Sequence, residues 1–465
     1  MSPTAATPAS STPPGQKAFR AGFLTACAGL LVGLDTGLIA EALGFIGTDF
    51  HASTRDQEWI VSVLMLGASV GSLGAGTFSA RFGRRLVLTA AMVLMFLGAC
   101  LCANATGISQ ILAGRLLIGT AIGVCTFTAP LYISETMSGH QRGSMVSTFS
   151  MLQSAGILAG YLVGGILSSG AHWRWMVSMP MLPAALLFAG CFFLPPSPSW
   201  LIARGEDAKA RAVLRSLRDT AAEADAEFTC IKNETAKGRI SGLKLLRQQP
   251  GFRRSVMLGI CLQVMQQLTG INVVMYYTPK ILQNAHFGTS GAAWATVLIG
   301  VINTIVGIAA IFMVNRWGRR PLLCTSAAIM AFSLAIAAVI TGLHLSGIVA
   351  TLCLLGALLS FVGGFGLGAG PLVWTLCSEI QPLEGRDFGV GCSTLANWWA
   401  DWIVSNTFLS IVSVVGFGQT FGGFALMNIV FIAFTLTFVP ETKDVPLESI
   451  ETNLLSGKKL RDIGK

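Results

Sequence analysis

Twelve blocks of mainly apolar residues run through this chain, at roughly 20–46, 58–78, 86–104, 108–129, 144–168, 174–194, 255–283, 292–314, 321–343, 348–377, 389–414 and 419–439. A helix needs ~20 such residues to cross a hydrocarbon core ~30 Å thick. A soluble protein could not hide so many separate apolar segments behind the charge available. Only 11% of the residues are Asp, Glu, Lys or Arg, against roughly 25% in soluble domains. In lipid every backbone polar group must be satisfied within the chain, so the blocks read as helices and the chain as an all-α membrane protein. Its 53 glycines suit helices that approach closely or loosen beside an internal cavity.

The polar segments divide the chain. Residues 1–19 are rich in Pro, Ser, Thr and Ala and lack the apolar core of a signal peptide, so they read as a disordered cytosolic tail. Residues 20–195 form an N-terminal six-helix bundle. Residues 196–254, which include KARAVLRSLRD, form cytosolic linker helices, and 255–439 form a second six-helix bundle. Residues 440–465 are a cytosolic tail. Net charge is +9, which in a soluble protein would suggest nucleic acid. Here 27 of the 31 Lys and Arg fall on one side when alternate loops are counted. The positive-inside rule then puts both termini in the cytosol, and no nucleic-acid partner is expected. Three motif pairs repeat at offsets of 235, 241 and 245 residues: RFGRR from Arg81 and RWGRR from Arg316, PLYISE from Pro130 and PLVWTLCSE from Pro371, FLPPSPSW from Phe193 and FVPETKD from Phe438. Two bundles related by duplication suit a substrate path between them.

Ionisable groups within spans are costly in lipid and are functional candidates by default. Asp35 lies in GLDTG of the first span and Arg115 in GRLLIG of the fourth. Paired in one state and separated in another, such a carboxylate can take and lose a proton; a fixed structural ion pair is the plainer alternative. All five histidines fall in loops or at span ends, which leaves a carboxylate as the proton carrier. In LQVMQQLTGINVVMYY, Gln263 and Gln267 share a helix face, Gln266 lies beside them, and Asn272 follows Gly270, where the helix can loosen. Amides both donate and accept hydrogen bonds. They suit an uncharged polyol, though they also serve as glue between helices. Trp374, Asn397, Trp398, Trp399, Asp401 and Trp402 bring indole faces and two polar groups at i, i+4 spacing. Trp399 and Trp402 fit lipid-facing or interfacial anchors equally well. No GxxxxGK[ST] or HExxH occurs, so neither ATP hydrolysis nor enzyme chemistry is supported. The 11 cysteines show no CxxC pairing. No metal or cofactor is expected.

Together GLDTG, RFGRR, GRLLIG, PLYISETMSGHQRG, PPSPSW, QQLTGIN, RWGRR, GPLVW, SEIQPLEGRDFG and PETK resemble the sugar porter family of the major facilitator superfamily, and look particularly like its bacterial galactose–proton and arabinose–proton symporters. The resemblance implies the major facilitator fold, a bacterial inner membrane location, and import of a hexose or pentose together with a proton. It makes Asp35 the proton-coupling residue and Arg115 its partner. Sugar-binding positions would be Gln153, Gln266, Gln267, Asn272, Asn303, Trp374, Asn397 and Trp398, with Asp401 where the family usually has Asn. Arg84, Arg85, Glu135, Arg142, Arg319, Arg320, Glu379 and Arg386 match a cytosolic charge network expected to hold the outward-open state. Ala80 and Pro196 replace residues that are usually carboxylates, and Glu41 is an extra carboxylate in the first span. The expected partners are a monosaccharide, a proton and the bilayer, and the working unit is a monomer. The alternatives are a passive facilitator of the same fold, which usually carries Asn at the Asp35 position, a proton–drug antiporter, and a membrane sugar sensor.

Overall fold

The computed structural model describes residues 14–170, 172–236, 242–285 and 287–464. Residues 1–13 of the expected tail, 237–241 of the linker and Lys465 lie outside them. Ten apolar helices of membrane-crossing length come first: α1 (Gln16–Asp49), α2 (Thr54–Phe82), α3 (Arg84–Ala103), α4 (Ile108–Thr136), α5 (Gln141–Gly170), α6 (Trp173–Cys191), α7 (Pro250–Asn284), α8 (Thr289–Val314), α9 (Arg319–Gly342) and α10 (Ile348–Glu379). An eleventh, Arg386–Phe438, has 53 residues. At 1.5 Å per residue it is ~80 Å long, over twice the hydrocarbon thickness. It cannot be one pass. Gly416, at φ 84° and ψ 167°, breaks it where a side chain would be strained. The result is α11 (386–415) and α12 (417–438), and twelve spans among the described residues.

Two helix starts differ from the sequence reading. Helical structure begins at Pro14, two residues ahead of the apolar span α1, inside the stretch expected to be disordered. Proline is pre-organised for a first helical turn, and Ala18 and Ala21 just beyond it are buried. α7 begins at Pro250 rather than 255, because Phe252 packs with Val256 on Leu245 of the last linker helix. The linker holds four short helices, Pro198–Ala203, Asp207–Leu217, Ala221–Ala236 and Gly242–Gln248. The first three close a small core of Leu201, Ile202, Leu214 and Phe228. Arg218 ties that core to the end of α4 through the carbonyls of Thr136 (2.8 Å) and Met137 (3.3 Å), while its fork grips Glu227 at 2.5 and 2.8 Å.

Within the first six spans α1 packs on α5 and α4 on both α2 and α3; in the second six, α7 and α9 pack on the 386–438 helix. The halves meet where α2 touches the 386–438 helix, where α5 touches α8 and where α1 touches the second part of α7. Large side chains such as Phe312, Phe332 and Leu182 point outward and are exposed, as expected of a surface bathed in lipid rather than water. The polar side chains turn inward.

Candidate functional site

The first cluster forms between α1 and α4. One Arg115 nitrogen, Nη1, donates to both Asp35 oxygens at 2.8 and 2.7 Å, and Nε donates to the Ile60 carbonyl at 3.0 Å. Both residues are buried, and Nη2 has no partner among the described residues. Beside the pair is a cavity of about 10 Å³ lined by Cys102, Leu38, Trp173 and Pro180, room for about one water. Two opposite charges thus neutralise each other where neither could stand alone.

The second cluster forms where α7 breaks. Its first part ends at Leu268; Gly270 adopts φ 85° and ψ 12°, and a new helix starts at Ile271. A β-carbon at Gly270 would lie 2.9 Å from the Phe424 ring. Gly270→Val is therefore expected to cost ~1–3 kcal/mol of stability, read as a lower Tm of the purified protein. An unchanged Tm would show that the turn tolerates a side chain. The break leaves Gln263, Gln266 and Gln267 on the first part and re-aims Asn272 at the start of the second. Asn397 Nδ2 donates to Gln263 Oε1 at 2.6 Å and Gln266 Oε1 at 3.0 Å, and Gln266 Nε2 donates to the carbonyls of Ala369 at 2.7 Å and Gly370 at 3.3 Å. Those carbonyls lie at the end of a π-helical turn, Phe365–Ala369, inside α10, the kind of irregular backbone found where a span lines a cavity. Asn272 Nδ2 donates to Gln267 Oε1 at 2.9 Å and Asp401 Oδ2 at 2.7 Å, and the Ser405 hydroxyl donates to Asp401 Oδ1 at 3.0 Å. Gln263 Nε2 and the indole N–H groups of Trp398 and Trp402 are buried without partners among the described residues. A polar cluster with donors left over is what a ligand with many hydroxyls would complete.

Other expected positions are not hydrogen-bonded to this cluster. Gln153 on α5 is half-buried, Asn303 on α8 is buried, and Trp374 on α10 is 42% exposed. Trp402 is no lipid anchor: its ring lies 6.2 Å from that of Trp59 in α2, across the line between the halves. Trp399 is the exposed one.

The charge network at the linker end is duplicated, one copy per half. Arg84 pairs with Glu135 at 2.7 Å, and the Ser197 hydroxyl donates to the same carboxylate at 2.6 Å. Arg319 pairs with Glu379 at 2.8 Å, and Thr442 takes the place of Ser197. Ser197 and Thr442 stand at the 245-residue offset. Arg85 and Arg320 donate to the carbonyls of Phe192 and Leu436 instead. Arg142 is exposed and Arg386 half-buried, with Nε unpartnered among the described residues. In the second half Glu441 also accepts from the main-chain N–H groups of Arg319 (2.9 Å) and Arg320 (3.0 Å); Pro196 occupies the matching position in the first half.

The opposite end of the bundle is where polar groups join the halves, and the sequence reading did not single it out. Glu58 on α2, fully buried, accepts from Ser410 N at 2.6 Å and Ser410 Oγ at 2.7 Å on α11. Arg55 reaches Glu58 at 3.1 Å and the Asn406 carbonyl at 2.8 Å. Ser62 donates to Asn406 Oδ1 at 3.0 Å, and Lys280 donates to Gln57 Oε1 at 2.7 Å. Among the described residues the charged pairs at the linker end stay within one half or involve the linker. Polar bonds between the halves are thus found at the Glu58 end.

Comparisons with known proteins agree with this architecture. A family model described as "Sugar (and other) transporter" matches residues 21–454. The galactose-proton symporter of Escherichia coli strain K12 is 44% identical over 443 residues, 95% of each chain. The arabinose-proton symporter of the same strain is 40% identical over 445 residues, 94% of each chain. Among solved structures, the partially occluded inward-open conformation of the xylose transporter XylE from E. coli superimposes with a TM-score of 0.80 at 26% identity, covering 91% of this chain and 100% of that one. XylE bound to 6-bromo-6-deoxy-D-glucose, described as a major facilitator superfamily proton:xylose symporter, gives 0.77 at 26% identity, over 97% of this chain and 99% of that one. With its family model matched from the first span to the C-terminal tail and relatives this similar over nearly their full length, the chain belongs to the sugar transporter family.

Proposed function

We propose that this protein is a proton-driven monosaccharide importer of the bacterial inner membrane, working by alternating access as a monomer with both termini in the cytosol. The observation that carries the reading is the buried Asp35–Arg115 pair in one half, with a partly unsatisfied amide cluster in the other. A carboxylate that can leave its arginine offers the proton a site, and amides with spare donors offer one to a sugar. The relatives named above, galactose–proton and arabinose–proton symporters, support that assignment. Sugar and proton drive the conformational cycle only if they bind its states differently. Asp35 loads its proton from outside, sugar engages Gln266, Gln267, Asn272 and Asn397 with Trp374 and Trp398 alongside, and the loaded carrier closes outside and opens inside. Gln153 and Asn303 join the sugar site from the neighbouring helices as the halves rock. The paired arginines and glutamates at the linker end re-pair across the halves in the outward-open state.

The direct test is uptake of radiolabelled D-galactose, L-arabinose, D-xylose and D-glucose into vesicles containing the protein, with and without an imposed proton gradient. Accumulation of one or more sugars only with the gradient is the expected result; equal uptake with and without it would make the protein a passive facilitator. Within the site, Gln267→Ala should weaken sugar binding by about 1–3 kcal/mol, the usual cost of leaving a buried polar partner unpaired. Calorimetry checks this. Unchanged affinity in a folded variant would move the sugar away from α7.

A further inference from the structure

We propose that Asp401 is a positioning residue that fixes which way Asn272 faces, and so decides whether the site reads one sugar hydroxyl as a donor or as an acceptor. This rests on the sugar site proposed above.

Amides are ambiguous readers of hydroxyls, because a half-turn exchanges their oxygen and nitrogen. The structure contains two amide relays, and each has an anchor that removes the ambiguity. In the first, the anchor is main chain. The carbonyls of Ala369 and Gly370 can only accept, so Gln266 must turn Nε2 toward them. Its oxygen then accepts from Asn397, whose second N–H goes to Gln263 Oε1. Gln263 Nε2 is left as a spare donor and Asn397 Oδ1 as a spare acceptor. In the second relay the anchor is Asp401. Its Oδ2 accepts from Asn272 Nδ2, the other N–H of Asn272 goes to Gln267 Oε1, and Ser405 holds Oδ1. This leaves Gln267 Nε2 as a donor and Asn272 Oδ1 as an acceptor. The two relays have the same sense, a glutamine that gives and an asparagine that takes.

Asp401 is 1% exposed whereas Asn272 is partly open, so Asp401 acts through Asn272 and not on the sugar. Among the described residues no Lys, Arg or His side chain hydrogen-bonds to it; its partners are Asn272 and Ser405. Without it, nothing described holds the Asn272 nitrogen on the far side except Gln267, which can flip in concert. The first relay, held by main chain, would keep its sense.

A hydroxyl that donates to a carbonyl cannot be replaced by fluorine, which only accepts. A hydroxyl that accepts from an N–H can be replaced in part. Binding of D-galactose and its complete set of monodeoxy and monodeoxyfluoro derivatives is therefore measured by calorimetry on the full-length protein. In the wild type, at the position read by Asn272, the fluoro and deoxy sugars should both bind at least tenfold more weakly than galactose. In Asp401→Leu the fluoro sugar at that position should recover to within about threefold of galactose, as Asn272 turns an N–H toward it. Asp401→Ala is run in parallel, so that a variant with a filled site and one with an open site carry the same test. Asp401→Asn should keep the wild-type pattern, because its oxygen still accepts from Asn272 while its nitrogen meets the Ser405 hydroxyl. A purely structural role would weaken all the sugars in proportion and leave the fluoro-to-hydroxyl ratio where it was. That unchanged ratio in Asp401→Leu and Asp401→Ala would overturn the proposal, as would Asp401→Asn behaving like Asp401→Leu. Asn272→Ala is the control for the underlying reading: if it binds galactose as tightly as the wild type, the sugar site itself is misplaced and the proposal falls with it. If Asn272→Ala weakens binding and the ratio does not move, only the role of Asp401 fails.

Discussion

In vesicles with an imposed proton gradient, the Asp35→Asn protein is expected to equilibrate sugar but not to concentrate it. A carrier moving one proton per sugar turns each ~59 mV of driving force into a tenfold sugar gradient, so ~120 mV should give the wild type about a hundredfold accumulation and the variant none. The physical reason lies in the geometry of the pair. Arg115 Nη1 contacts both Asp35 oxygens, and an asparagine can satisfy it with one. The buried guanidinium therefore keeps a hydrogen-bond partner and its bond to Ile60, and the fold should survive. What is lost is the group that changes charge. Exchange of labelled for unlabelled sugar, which needs no net proton movement, should proceed. Should Asp35→Asn still concentrate sugar, the carrier must be sought elsewhere, first at Glu41. That carboxyl is buried on α1, with Oε1 unpartnered among the described residues and its stem packed where a β-carbon on Gly164 would stand.

The architecture was open to reading from the sequence because membrane spans are set by length and polarity, both local properties. The junction near Gly416, the loosening at Gly270 and the duplication of the RxGRR loops could all be located in this way. The Asp35–Arg115 pair could be too: two charges placed mid-span have few choices but each other. The amide cluster was only half legible. Spacing puts Gln263 and Gln267 on one helix face ahead of the break, yet they take different partners, Asn397 and Asn272. The glycine marks where the helix loosens, but not where the chain beyond it sends Asn272, which meets Asp401 from a helix 129 residues on. The seam at Glu58 was missed for a different reason. Glu58 stands at the edge of an apolar block, where a carboxylate reads as a helix end in water. Its partner Ser410 is 352 residues away, a plain serine in an apolar run. A bond between a carboxylate and a main-chain N–H leaves no mark in the partner's sequence. The usable signal was Glu58 falling inside the span rather than before it, beside Trp59.

That seam makes the other large prediction. The bonds of Glu58 to Ser410 can exist only while the Glu58 ends of the halves touch, so they stabilise this closed arrangement and contribute nothing once it opens. Arg55 is half-exposed, and its ion pair with Glu58 is worth ~0–1 kcal/mol. The larger share comes from Ser410, whose hydroxyl and main-chain N–H both lose a buried acceptor when Glu58 is removed, a cost of ~1–3 kcal/mol. Glu58→Ala should therefore move the balance toward the state open at that end by about 5–150-fold. Hydrogen–deuterium exchange reads this without altering the native cysteines. Peptides covering residues 54–64 and 400–412 should take up deuterium faster in Glu58→Ala, while peptides at the linker end, around Arg84 and Arg319, become better protected. Sugar affinity measured from the Glu58 side should hold or improve, and turnover should fall, because the step that re-forms the seam has lost its driving contacts. Glu58→Gln, which keeps one acceptor for Ser410, should fall between. Equal exchange in all three proteins would mean that the halves are held by the bonds of Arg55 and Ser62 to Asn406 and of Lys280 to Gln57, together with the ring contact of Trp59 and Trp402, and that Glu58 merely fills space between them.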